Sequence, residues 1–351
     1  ARTSAAWCRK ADFTWVQVSS GQPRATVGET GQTQLGVMVE RAATNDVLRN
    51  RDLSNAGVWA TSSVTCTKTA TGIDGVANSA SLCTGSAGAA AVWQTVTASG
   101  SRSTSFFIKR VSGTGTIRVT REGGGGWIDI TSDLSSDWKR FQPQSCGAET
   151  KCVQKTGLKS TFTNPVIGWE FTTPGDSIAI DFVQDESTAW ATSPIDTAGT
   201  AVARNAETFA LNNPSGTFTN FSFGADVRPE FLSESYIVML EDGSSRSDFS
   251  TANGNGSIRF ELYWGGTSTA SSGVCWTGNT PGVWHRVAAQ WNNVVPKACC
   301  DGSCVNGTKH GSASVPSTFT LFRIGHGAFG GSGTQGVLKN ICLDNTATGC
   351  I

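Results

Sequence analysis

Gly36-Val37-Met38-Val39-Glu40-Arg41-Ala42-Ala43-Thr44-Asn45, followed by Leu48 and then Asp52-Leu53-Ser54-Asn55-Ala56-Gly57-Val58-Trp59, is the stretch on which the fold turns. Val37 and Val39 alternate with Met38 and Glu40 at the period of a strand. The polar run ending in Asn55-Ala56-Gly57 then supplies a turn before Trp59. The segment has the form of an edge entering a β-sandwich.

The rest of the chain repeats that form. Short apolar runs at 91–96, 104–109, 115–119, 127–130, 138–141 and 177–182 are separated by turn signals, the pattern of an antiparallel sandwich. No long segment carries apolar residues at i, i+3, i+4 and i+7. Charged residues make up 15% of the chain, against roughly 25% in an average soluble domain. The expected fold class is all-β: two tandem antiparallel β-sandwich (jelly-roll) domains with an N-terminal arm. Residues 1–34 are read as the arm, an extension or a strand added to a neighbour. Residues 35–197 are the first sandwich, 198–206 a linker of Gly/Thr/Ala composition, and 207–351 the second sandwich. A length of 351 residues suits about two domains, each large enough to bury a core.

The 27 basic and 27 acidic residues cancel, and neither sign runs in blocks. Phosphate binding needs a clustered basic surface, so no nucleic-acid partner is expected. No apolar run approaches the ~18 residues of a membrane span, so no membrane insertion is expected. Residues 1–20 lack the apolar centre of a signal peptide.

Eleven cysteines read as staples of an oxidising compartment. In Cys299-Cys300-Asp301-Gly302-Ser303-Cys304, Asp-Gly is the preferred centre of a two-residue hairpin turn. Cys300 then faces Ser303, and Cys299 faces Cys304 at a non-hydrogen-bonded position, within disulfide range. Proximity along the chain pairs Cys66 with Cys83, Cys146 with Cys152, and Cys342 with Cys350. The odd total leaves at least one thiol free or intermolecular. The rival reading, a metal site of Cys299, Cys300, Cys304 and His310, fits no tetrahedral zinc spacing. No metal and no cofactor is expected, a structural calcium ion being left open.

The 36–59 stretch resembles the opening of jelly-roll modules in bacteriophage tail and virion-surface proteins, which read G-L-L-I-E-x-A-R-T-N-L-L and then D-F-S-N-A-x-W. Thr188-Ala189-Trp190-Ala191-Thr192-Ser193-Pro194-Ile195 resembles the closing segment of the same modules, F-A-T-S-Y-I-P-T. Trp190 stands where the family has Phe, and Pro194 precedes Ile195 where the family has Tyr-Ile-Pro. The second half resembles laminin-G-like and concanavalin-A-like domains, through Phe221-Ser222-Phe223-Gly224-Ala225-Asp226-Val227-Arg228-Pro229, Val283-Trp284-His285-Arg286-Val287-Ala288, the Cys300-Asp301-Gly302 hairpin and Gly336-Val337-Leu338-Lys339-Asn340-Ile341. These resemblances imply a virion-surface or extracellular location, with other virion proteins, a second copy of the chain, or cell-surface glycan as partners.

Chemistry is thin by comparison. Asp181 and Asp185, with Glu186 adjacent, have the i, i+4 spacing of a glycosidase carboxylate pair on one strand face, and a solvated strand end is the preferred reading. His285, His310 and His326 have no nucleophile in a local motif. Gly325-His326-Gly327-Ala328-Phe329-Gly330 matches a dinucleotide fingerprint only formally, because no helix follows. The asparagines of 220–222, 255–257 and 306–308 form glycosylation sequons, which a phage-like origin leaves unused. Twelve tryptophans leave a binding signal, since sugars stack their CH faces on indole rings. Trp127 follows four glycines, and Trp264 and Trp276 flank a polar loop at 265–273; these three are the glycan-binding candidates. The function expected is non-enzymatic adhesion to host glycan. The alternatives are a decorating virion protein without ligand and a secreted polysaccharide-degrading enzyme.

Overall fold

A computed structural model describes residues 5–9, 14–20, 25–26, 36–40, 42–122, 126–144, 146, 150–188, 190–207, 209–212, 220–229, 235–241, 246–252, 257–264, 267–272, 275, 283–292, 295–309, 319, 321–324, 336–344 and 350. Among these the chain is all-β, and its only helical turns are the short 3-10 segments Thr131–Asp133 and Thr156–Leu158. The strands expected from periodicity are present, as Ala90–Thr95, Arg102–Ser112, Ile117–Thr120, Ile128–Asp129, Lys139–Gln142 and Ser177–Glu186.

The first sandwich has a nine-stranded and a five-stranded sheet. In the larger, Ser177–Glu186 lies antiparallel to Arg102–Ser112 on one side, and to Ala80–Gly85 and Ala43–Asn45 on the other. In the smaller, Val166–Phe171 lies between Ile117–Thr120 and Ala90–Thr95. Apolar side chains alternating off both sheets fill the space between them, with Trp59, Phe106, Phe141, Trp169 and Phe171 all buried. Phe106 stacks on Phe141 at 5.3 Å between centroids and meets Trp169 edge-on at 5.1 Å. Truncating a ring at such a position costs about 3–5 kcal/mol, because the cavity relaxes only in part.

Ser177–Glu186 carries a bulge. Phe107 pairs with Asp181 while Ser105 pairs with Gln184, so one residue opposes two. Phe182 takes a positive φ of 44° there. Its ring meets Trp7 at 4.9 Å, and the neighbouring Phe107 meets Trp15 at 5.7 Å. Both tryptophans belong to a hairpin of Ala6–Arg9 and Trp15–Val18. Of the leader, expected as an arm or a strand added to a neighbour, the pair of strands at 6–9 and 15–18 folds back on the first sandwich, while Ala25–Thr26 joins the sheet of the second half. The cause is apolar, since Phe107, Phe182 and Ile73 form a patch that Trp7 and Trp15 cover.

The strand at 36–39 forms as expected but pairs elsewhere. Gly36–Val39 lies antiparallel to Gly336–Asp344, with Ala25–Thr26 beyond it. Val39 is buried with Phe221, Phe223 and Leu338 in the core of the second half. The first sandwich takes up the chain at Ala43–Asn45. Alternation shows that a segment is extended and which side chains share a face, while its choice of sheet edge depends on contacts remote in sequence.

The described strands of the second half, together with Gly36–Val39 and Ala25–Thr26, form one hydrogen-bonded path of thirteen. Within it Phe221–Pro229 runs between His285–Trp291 and Gly336–Asp344. The Asp301-Gly302 turn has φ values of 48° and 82°, the left-handed pair that a two-residue hairpin needs. It aligns Cys299 with Cys304 and Cys300 with Ser303, as residue pairing required.

The disulfides Cys299–Cys304, Cys66–Cys83, Cys146–Cys152 and Cys342–Cys350 are joined by a fifth, Cys275–Cys300. The rival metal site is thereby overturned, because its three cysteines are all consumed in disulfides; His310 lies outside the described residues. Cys8 is buried and takes part in none of the five. No helix among the described residues is long and apolar enough to cross a membrane.

Candidate functional site

The stretches that open and close the first module lie against each other. Asn45 uses its whole hydrogen-bonding capacity to hold them: its amide donates to the carbonyls of Val183 and Ile195, both at 3.1 Å, and its oxygen accepts from the N–H groups of Val47 and Asp185. Asn50 donates to Ile195 O at 2.9 Å and accepts from Thr197 N at 2.9 Å. Glu40 accepts from Ser193 N at 2.7 Å and ion-pairs with Arg204 at 3.0 Å. Glu40 is buried, and these partners are what permit that.

The acidic run of the same sheet is also buried. Asp181, Asp185 and Glu186 are each 0% exposed, which overturns the solvated strand end. Asp181 is bound bidentately by Arg51, at 2.7 and 3.1 Å. Asp185 is held by Arg102 and by Arg121, the latter at 2.7 Å, and accepts from the Thr104 hydroxyl. Glu186 accepts from Thr192 N and Oγ1. Burial raises the Glu186 carboxyl to about 7, against the bonds from Thr192 and the charges of Arg204 and Arg140. Burial likewise raises Asp181 to about 6, against Arg51. With both Asp181 and Asp185 enclosed in separate ion pairs, the glycosidase-like spacing does not present a pair to substrate.

The open chemistry lies at one rim of this sandwich, where the turn at 46–59, the strand Val64–Ala70 and the closing segment meet. A cleft of about 430 Å³ is lined there by Arg49, Arg51, Asp52, Lys68, Ser79, Asp196, Thr197, Ala198 and Val202. Arg51 forms its floor. Its guanidinium pairs with Asp181 and with Asp74 at 2.8 Å, and lies over the Phe182 ring at 4.0 Å. Burial alone would raise Asp74, but the Val76 N–H and Arg51 hold it below its ordinary range.

Arg49 has a left-handed backbone, φ 51°, where glycine is at least strain. Three hydrogen bonds fix it: Arg49 N donates to Ala198 O at 2.7 Å, and Arg49 O accepts from Asp52 N and Trp59 Nε1. Asp196 is exposed at the cleft. Desolvation in the concave wall raises its carboxyl, opposed by Arg51 and Lys68. The arrangement offers donors and acceptors side by side, with no aromatic among the described residues of the wall.

Of the three aromatic candidates, Trp127 is half-buried and precedes Ile128–Asp129 in the five-stranded sheet. Trp264 ends the strand Ser257–Trp264 in the other half, its side chain outside the described part. Trp276 lies outside the described residues, as do His326 and the glycine-rich run around it. Trp264 thus belongs to a different sheet from the strand that follows Trp127, and Trp127 is not among the described residues that line the cleft. His285 is buried, with Nδ1 2.7 Å from Asp301 Oδ2. Sequence reasoning passed over Arg49, Arg51, Lys68 and Asp196. The available signal was Arg49-Asn50-Arg51-Asp52, a dense polar run in a chain poor in charge. Among the described residues no cluster of His, Cys, Asp or Glu could hold a metal ion.

No protein-family model matches the chain, and no curated protein matches its sequence. Solved structures with some likeness include a native heptameric SAP-like pentraxin from Limulus polyphemus, 15% identical, covering 40% of this chain and 69% of that one, with a TM-score of 0.32. Domains LG4-5 of the mouse laminin α1 chain are 9% identical, with 89% and 91% covered and a TM-score of 0.31. The LG1-3 region of the laminin α2 chain is 9% identical, with 75% and 63% covered and a TM-score of 0.31. These likenesses bear on architecture alone.

Proposed function

We propose that the chain is a non-enzymatic adhesion protein of a virion surface or tail, with two sandwich units divided at 198–206, and that it holds host glycan in the cleft of the first. The cleft carries this reading. Sugar hydroxyls both donate and accept, and Arg49, Lys68, Ser79 and Asp196 meet both needs on one wall. The enclosure of Asp181 and Asp185 in ion pairs favours binding over turnover at that acidic pair. Five disulfides suit an extracellular setting. Partners on the particle would be other virion proteins or a second copy. The intact protein applied to a glycan array tests the reading: retention on a defined set of glycans is the expected result, and an empty array would favour a decorating protein.

A further inference from the structure

Two of the cations at the cleft are unengaged. Arg51 is matched by Asp74 and Asp181, whereas Arg49 and Lys68 are exposed and have no ion pair with any described residue. Arg49 is the more telling. Its left-handed backbone would cost least as glycine, and three hydrogen bonds hold an arginine there instead. The result is a guanidinium placed at the rim by a fixed backbone, with its fork uncommitted. A carboxylate is the group that this planar fork fits in two parallel bonds.

The opposite charges on the wall narrow the ligand further. Asp52 and Asp196 stand among the same lining residues. They would repel a chain bearing several anionic groups on each sugar, and they accept hydrogen bonds from hydroxyls. Asp52 already takes the Ser54 hydroxyl at 2.6 Å, which shows the geometry that its carboxylate accepts. With no aromatic among the described residues of the lining, these groups grip a sugar by its polar edge and not by its ring face.

We propose that the cleft binds a sugar bearing a single carboxylate, a sialate or a uronate, with the acid group on Arg49 and Lys68 and neighbouring hydroxyls on Asp196. This deepens the glycan-adhesion reading and rests on it.

The test is calorimetric titration of the intact protein with 3′-sialyllactose against lactose, and with digalacturonate against its neutral digalactose counterpart, heparin serving as a polyanion control. One acidic ligand should bind at least tenfold more tightly than its neutral counterpart, and heparin should not replace it. That preference should shrink with added salt. It should disappear in Lys68→Gln and in Arg49→Gln, both with unchanged thermal unfolding. The two sources are separated by which acidic arm binds. Equal binding of acid and neutral forms would overturn the acidic-sugar assignment while leaving glycan adhesion intact. Acid preference that survives both substitutions would overturn the cleft as its site. Failure of all four sugars together with an empty glycan array would remove both readings.

Discussion

The first sandwich and the stapled hairpin of the second half are held by opposite means. In the first sandwich, buried polar contacts join residues far apart in the chain: 130 positions for Arg51 and Asp181, 150 for Asn45 and Ile195, and 153 for Glu40 and Ser193. Four of the five disulfides are local. Those of the second half span 5, 8 and 25 positions, and those of the first 6 and 17. Cys299–Cys304 and Cys66–Cys83 join facing residues of paired strands and fix hairpin register. Closure of the fold rests on the long-range polar and apolar contacts.

That contrast breaks most readily at Asp185, which answers two buried guanidiniums. Asp185→Ala leaves Arg102 and Arg121 without it and should cost about 3–5 kcal/mol in denaturant unfolding. A cost below about 1 kcal/mol would show that the polar interior is incidental.

Glu186 sharpens the comparison through pH. Its carboxyl lies near 7 in the folded chain and at 4.5 ordinarily, so the folded state binds its proton more tightly than the unfolded state. The associated stability is fully present below about 4.5 and is lost as pH rises through 7, on the order of 3 kcal/mol. Asp181 acts in the same direction through about 6. Asp74 and Asp129 are held low and act oppositely, losing stability as acid protonates them. Thermal unfolding should therefore peak on the mildly acidic side, and Glu186→Gln should flatten the fall between pH 5 and 8. An unchanged profile in that variant would contradict the assignment.

The smallest effect is expected at the staple. Cys299→Ala with Cys304→Ala opens a ring of sequence separation 5 and should cost about 2 kcal/mol, with increased amide exchange confined to the hairpin at 296–309. Exchange that spreads into the first sandwich would erase the distinction between local staples and long-range closure.

What could be read in advance follows the same division between local and remote. The Asp301-Gly302 turn determined its own register, so the facing of Cys299 and Cys304 was legible from six residues. Cys275–Cys300 was not, because nothing local brings residues 25 apart together. Strand existence was legible at 36–39, but its partner at 336–338 was not. Glu40, Asp181, Asp185 and Glu186 show the other limit: an acidic residue on a strand has the same pattern whether water or a buried arginine answers it. The cleft escaped for a related reason. Arg49, Lys68 and Asp196 come from segments about 20 and 130 residues apart, and only the pairing of opening and closing stretches brings them to one rim.

The central claim is binding without turnover. The most direct measurement passes the intact protein over immobilised polysaccharides, acidic and neutral, while reducing ends are assayed in the eluate. Retention on acidic material, with no new reducing ends over prolonged contact, is the expected result. Release of reducing ends by the purified chain, or passage through every resin without retention, would contradict it.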